Sequence, residues 1–214
     1  MTQPVEIKNV TKTFRHPMKV WDTIEAVKDF SFSVQTGEIV GFVGHNGAGK
    51  TTTIKMLMGF IAPTSGEISI FGHKPGNREV RYKIGFLPER PYFYSELTAM
   101  DVLKYFGKLS GMKGSNLIDR AEKVLRKVGI YNDRNRKLSG YSKGMLQRIG
   151  LAQALIHDPE LVIMDEPMSG LDPIGRREVK EIIRTLRKDG KTVIFSSHIL
   201  SDIENLSDRV LIIE

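Results

Sequence analysis

Eight consecutive residues constrain this chain more than any others. Gly44-His45-Asn46-Gly47-Ala48-Gly49-Lys50-Thr51 matches the pattern GxxxxGK[ST], and it follows an apolar run from Ile39 to Val43. That run suits a strand buried on both faces of a parallel sheet. The glycines let the next loop curl until successive backbone N–H groups point inward, and the helix it opens adds partial positive charge at its N-terminus. A strand, a glycine-rich loop and a helix in this order hold phosphate. Gly44, His45, Asn46, Gly47, Ala48, Gly49, Lys50, Thr51 and the adjoining Thr52 are therefore candidate nucleotide-binding residues. Lys50 is placed to reach the β- and γ-phosphates, and the Thr51 hydroxyl to ligate Mg²⁺.

The chain alternates around this unit. Val5 and Ile7, Phe30, Phe32 and Val34, and Ile68 and Ile70 repeat every second residue, the period of half-buried strands. The polar segment between Lys12 and Ala26 reads as a loop or as the extension of a hairpin. In the middle, Thr98 and Asp101 resemble a capping box. Leu117, Ala121, Val124, Leu125 and Val128 form a helical stripe, and a further helix is predicted from Lys143 to His157. The last third returns to strands at Leu161–Met164, Thr192–Ser196 and Val210–Ile213, with the stripe Val179, Ile182, Ile183 and Leu186 between the first two. This order predicts one α/β domain over 1–214, with its core in 1–88 and 159–214 and a helical subdomain inserted at 89–158.

Composition narrows the function classes. The chain has no cysteine, which excludes disulfide scaffolds, thiolate zinc sites, iron–sulfur clusters and cysteine nucleophiles. Lys and Arg total 32 against 25 Asp and Glu, a net charge of +7. That balance fits nucleic acid, an anionic membrane surface, a polyphosphate ligand or an ordinary solvated surface. No apolar run reaches the 18 or so residues of a membrane span, and the start, MTQPVEIKNV, lacks the apolar centre of a secretory signal.

Two acids end the Leu161–Met164 run. Asp165 is a candidate metal ligand, acting through water, and Glu166 a candidate general base for an attacking water. Upstream, Tyr141-Ser142-Lys143-Gly144-Met145-Leu146-Gln147-Arg148 resembles the signature motif of the ATP-binding cassette (ABC) ATPases. Leu138-Ser139-Gly140 looks similar, but counting back six residues from Gln147 sets the motif's start at Tyr141. Ser142 and Gly144 then take the signature serine and second-glycine positions, with Lys143 and Met145 as replacements. Ser142 suits an N-cap whose helix points its positive end at an anion.

The resemblance to this family covers nearly the whole chain. It implies a P-loop NTPase (RecA-like) core with an N-terminal antiparallel β subdomain. It also implies Mg²⁺-dependent ATP hydrolysis. His198 resembles the family's switch histidine, and Ser169-Gly170-Leu171-Asp172 its D-loop, so Asp172 joins the nucleotide-contacting set. Phe14 stands where the family stacks an aromatic on adenine, with Trp21 as a second candidate. Glu89 stands where the family usually carries Gln, and is expected to ligate metal and position water. Since each nucleotide faces the signature of a second copy, the resemblance implies a head-to-tail pair with an identical chain or a close paralogue.

The same resemblance implies a transmembrane permease as partner and a cytoplasmic location at the inner face of the cell membrane. Lys143, Met145 and Glu89 point to an export-type system. Pro91-Tyr92-Phe93-Tyr94 is expected either to meet the permease or to fill the helical subdomain's own core. The other function class is a soluble mechanical ABC ATPase on nucleic acid or ribosomes. The mixing of Arg176, Arg177, Lys180 and Arg184 with Glu178 and Glu181 counts against it, and no nucleic acid is expected. Family members continue past the Val210–Ile213 strand, so the stop at Glu214 predicts a cassette taken from a longer protein.

Overall fold

The computed structural model describes residues 3–15 and 22–213. Trp21, the second candidate for stacking on adenine, lies outside them.

The period-2 segments form an antiparallel sheet. Strand β1 (Val5–Arg15) pairs with β2 (Thr23–Val34) on one side, and on the other with β4 (Ser65–Ile70). Val5 faces Val34, Ile7 faces Phe32 and Phe14 faces Ile24, so the described residues 12–15 and 23–27 continue the hairpin. The inward residues Val5, Ile7, Val10, Phe32 and Val34 are buried. Phe32 meets Phe42 of the second sheet edge-on, with centroids 5.3 Å apart.

The apolar runs form that second sheet. Strands β3 (Ile39–Val43), β5 (Ile84–Leu87), β6 (Leu161–Met164), β7 (Thr192–Ser197) and β8 (Arg209–Ile212) lie in the order β5-β6-β7-β3-β8, and every neighbouring pair is parallel. Because both faces are covered, β6 and β7 are buried along their whole length. This is the P-loop NTPase arrangement that the family resemblance implies.

Helix α1 (Lys50–Leu57) follows β3, and a short α2 (Arg78–Arg81) precedes β5. Three helices fill the stretch between β5 and β6: α3 (Ala99–Leu109), α4 (Gly114–Lys127) and α5 (Lys143–Leu155). The capping box forms. Thr98 Oγ1 accepts from the Asp101 amide at 3.1 Å, and Asp101 Oδ2 accepts from the Thr98 amide at 3.1 Å. The stripe on α4 is buried as its spacing requires. Leu138-Ser139-Gly140 makes a separate 3₁₀ turn, and Ser142 caps α5 by accepting from the Met145 amide at 3.3 Å. Helix α5 lies very close to β5: a Cβ at Gly85 would meet the Ala154 carbonyl at 2.2 Å. Helices α6 (Pro173–Lys188) and α7 (Leu200–Glu204) flank β7. Among the described residues no helix is long and apolar enough to cross a membrane.

The end of α5 carries a pH-sensitive contact. His157 Nε2–H donates to the Ile84 carbonyl at 3.0 Å. Burial pushes this imidazole's pKa below the usual histidine value of about 6.5; the bond to Ile84 opposes the shift without cancelling it. Because the folded-state value lies below the unfolded one, the contribution to stability is complete above about pH 6.5 and is lost as pH falls through the folded value. The midpoint of thermal unfolding should therefore fall between pH 7 and pH 5. The fall should be shallower in His157→Gln, which keeps an N–H donor but does not titrate.

Candidate functional site

Parallel pairing in near-perfect register decides where the chemistry gathers. Val43 lies beside Ser197, Phe195 beside Met164, and Met164 beside Leu87. Four strands thus release their chains at one sheet edge, the position where open parallel sheets hold ligands. From β3 comes the glycine-rich loop, from β5 Glu89, from β6 Asp165 and Glu166, and from β7 His198. A cavity of about 390 Å³ opens there, lined by Asn46, Gly47, Gly49, Lys50, Thr51, Thr52, Glu89, Glu166, Ser169 and His198.

The loop is built to present amides. Gly47 and Gly49 take φ values of +92° and +103°, a region that L side chains rarely adopt. Helix α1 starts with no side-chain cap, and its first bond runs from Thr53 N–H to the Gly49 carbonyl at 2.8 Å. The amides of Lys50, Thr51 and Thr52 therefore precede the first i−4 bond at the positive end of the helix, where an anion is favoured. Lys50 is buried at 6% exposure. Its ammonium donates to the carbonyls of Gly44 at 2.7 Å and His45 at 3.1 Å, and lies 3.6 Å from Glu166 Oε1.

The acid pair is held by β7, which separates β6 from β3. The Glu166 amide donates to Ser196 Oγ at 2.8 Å, and Ser196 Oγ donates to Asp165 Oδ1 at 2.8 Å. Glu166 has φ +46°, a strained backbone for a long side chain, and these bonds hold it there. Its Oε2 accepts from His198 Nδ1 at 2.8 Å. Both Glu166 oxygens are thus occupied, one by a cation and one by an imidazole.

Other predicted residues stand elsewhere. Gly44 and His45 act through their carbonyls, and Ala48 is buried behind the loop. Asp165, at 4% exposure, is not among the residues that line the cavity. Phe14, 40% exposed, sits on the antiparallel sheet with the Lys12 ammonium 5.0 Å from its ring centroid. Ser142, Gly144 and Asp172 do not line the cavity of their own chain. Asp172 caps α6, its Oδ1 accepting from the Gly175 amide at 3.0 Å. Gln147 Nε2 donates to the Pro167 carbonyl at 3.0 Å, and the Lys143 ammonium lies against Gly170, so the start of α5 is tied to the 167–170 loop. The aromatic run divides: Tyr92 and Tyr94 are 86% and 74% exposed with rings 6.3 Å apart, while Phe93 packs on the core.

Ser196, and Ser169 of the D-loop segment as a cavity-lining residue, join the site beyond the predicted nucleotide-contacting residues. The sign of Ser196 was available: two serines break an apolar strand immediately before His198. The uncapped amides beside a buried ammonium form a donor set that fits polyphosphate. Among the described residues no cluster of three His, Asp or Glu side chains forms a metal cage. A magnesium ion here would need phosphate oxygens to complete its shell, its usual habit.

Comparison with known proteins agrees with this geometry. The family pattern described as ABC transporter matches residues 27–169. The bacitracin transport ATP-binding protein BcrA of Bacillus licheniformis is 46% identical over 198 residues, covering 91% of this chain and 64% of that protein. The ABC transporter ATP-binding protein sll0415 of Synechocystis is 44% identical over 211 residues, covering 98% of this chain and 60% of that protein. The chain thus spans less than two thirds of the length of either relative. Among solved structures, the dimeric post-hydrolysis cassette MJ0796 bound to ADP and Pi matches with a TM-score of 0.86 and 26% identity, covering 98% of this chain and 94% of that one. The chain belongs to the ABC transporter family of ATP-binding proteins.

Proposed function

We propose that this chain binds and hydrolyses ATP and powers an ABC membrane transporter through ATP-dependent head-to-tail pairing. One observation carries the reading: Lys50, Thr51, Glu89, Glu166 and His198, from four strand ends, line a single cavity fronted by free helix amides. The amides and Lys50 take the phosphates. Arrival of a phosphate draws Lys50 away from Glu166, and the freed carboxylate accepts a proton from the attacking water. His198 holds Glu166 in place and contacts the γ-phosphate. Thr51, Asp165 and Glu89 are the residues that would hold Mg²⁺, which when bound neutralises charge on the phosphates.

Ser142 and Gly144 open α5 away from their own cavity, which supports a role toward the nucleotide of a second copy. The dimeric ADP-bound cassette supports the same pairing. Asp172 contributes at that interface, and Phe14 stacks on the adenine. Residues 89–158 form the helical subdomain, and the exposed Tyr92 and Tyr94 meet the permease, since aromatic anchors concentrate at interfaces. The names of relatives such as BcrA support a transporter over a nucleic-acid machine, and the Lys143, Met145 and Glu89 variants support export. The chain then works at the inner face of the cell membrane.

Lys50→Met tests the cradle. It keeps the buried stem and removes the ammonium, a charge-assisted bond of about 1.5–3 kcal/mol. ATP affinity, read by titrating a fluorescent analogue, should fall roughly 10- to 150-fold. Unchanged affinity would mean that the phosphates lie elsewhere.

A further inference from the structure

Burying a charge is expensive unless the fold pairs it. Among the described residues four Lys, Arg, Asp or Glu side chains are buried: Lys50, Asp165, Glu166 and Asp202. Three of them belong to the candidate site. The fourth, Asp202, is 2% exposed and sits in α7, four residues after His198. Its Oδ2 accepts from Arg176 and its Oδ1 from Lys180 at 2.9 Å, and both cations project from α6. Burial alone would raise this carboxyl's pKa, but the bonds and charges of Arg176 and Lys180 outweigh it and hold the group below the usual aspartate range.

The placement of Asp202 gives the ion pair a task. Helix α7 is pressed on β3, the strand that feeds the glycine-rich loop: a Cβ at Gly41 would meet Ile203 Cγ2 at 2.3 Å. Its start is fixed by the Ile199 amide, which donates to Ser197 Oγ at 3.1 Å across His198. Helix α6 begins where the 169–172 loop ends, capped by Asp172. The Asp202 pairs are thus a fixed strut between the segment carrying His198 and the helix opened by that loop. An apolar residue would stabilise such a site as well as a buried ion pair does. What the ion pair adds is direction.

We propose that Asp202 is a positioning residue: through Arg176 and Lys180 it sets where His198 stands against Glu166. The proposal rests on the ATPase reading for its effect on turnover, but not for its effect on structure.

Two measurements on the full chain separate these. In steady-state ATP hydrolysis, Asp202→Asn should lower kcat about 10-fold or more, with KM changed less than about 2-fold, as expected for a displaced catalytic geometry. In a His198→Ala background the same substitution should change kcat less than about 2-fold, because its effect passes through His198. Asp202→Glu, which keeps the charge, should recover most of the loss. Hydrogen exchange gives a readout without turnover: amides 199–203 should lose protection in Asp202→Asn while β6 keeps its own. Arg176→Gln, which leaves Asp202 its Lys180 partner, should show both effects in weaker form and serves if Asp202→Asn does not fold. An equal loss of kcat with and without His198, or unaltered exchange at 199–203, would overturn the proposal. If the wild type itself does not hydrolyse ATP while exchange shifts as stated, the ATPase reading fails and the strut stands.

Discussion

Replacing Glu166 by Gln should lower ATP turnover about 10²- to 10⁴-fold, the range that a positioned general base contributes. The substitution changes little else. Gln has the same shape, so the strained φ of +46° and the amide bond to Ser196 remain available to it. Its carbonyl oxygen can still accept from His198. What it lacks is the ability to take a proton from water. The buried ammonium of Lys50 also loses its anionic neighbour at 3.6 Å, which leaves that cation freer to meet phosphate. ATP affinity should therefore hold or rise while turnover collapses. Single-turnover hydrolysis and equilibrium binding on one preparation check both halves. Turnover within a few-fold of wild type would remove Glu166 from the role of base.

Gly49→Ala should unfold the loop's seat. Its φ of +103° is strained for any side chain, and an added Cβ would lie 2.2 Å from the Ala26 carbonyl of β2. Backbone atoms of a paired strand have little room to yield. Conformational strain and overpacking each cost about 1–3 kcal/mol, so a loss of about 3 kcal/mol or more follows. For a chain of this length that is roughly 6–12 °C in Tm. Gly47→Ala makes the control: φ is +92°, but no atom lies within 4 Å of the added Cβ. It should cost strain alone, about half as much. Equal losses by thermal unfolding would mean that the contact with Ala26 carries no weight.

These sites differ in how far the sequence exposed them. The loop and the acid pair are legible because each sits where a largely buried apolar strand ends, and the change from apolar run to glycine or carboxylate is abrupt. The sequence cannot show that β7 lies between β3 and β6. That order makes Ser196 the bridge from Glu166 to Asp165 and lets His198 reach Glu166 across 32 residues. Asp202 was invisible for a related reason. A helix of five residues has no period to read, and an isolated acid looks like solvated surface until α6 brings two cations over it.

The segment after Lys12 reads in sequence as either loop or hairpin, because strands that project past the core lose the alternation that marks them. The pairing of Lys12 with Val27, Thr13 with Glu25, Phe14 with Ile24 and Arg15 with Thr23 makes the described ends of this segment a hairpin. The aromatic run reads as one patch in sequence, yet packing divides Phe93 from Tyr92 and Tyr94.

On the proposed function, two copies close over ATP with the start of α5 from one facing the glycine-rich loop of the other. The mass of Glu166→Gln in solution, measured by sedimentation with and without ATP, alone and combined with Ser142→Arg, reads this closure out. Glu166→Gln should be a monomer without nucleotide, double its mass with ATP, and return to monomer when Ser142→Arg fills the start of α5. A protein that stays monomeric in ATP, or a doubled mass that survives Ser142→Arg, would contradict it.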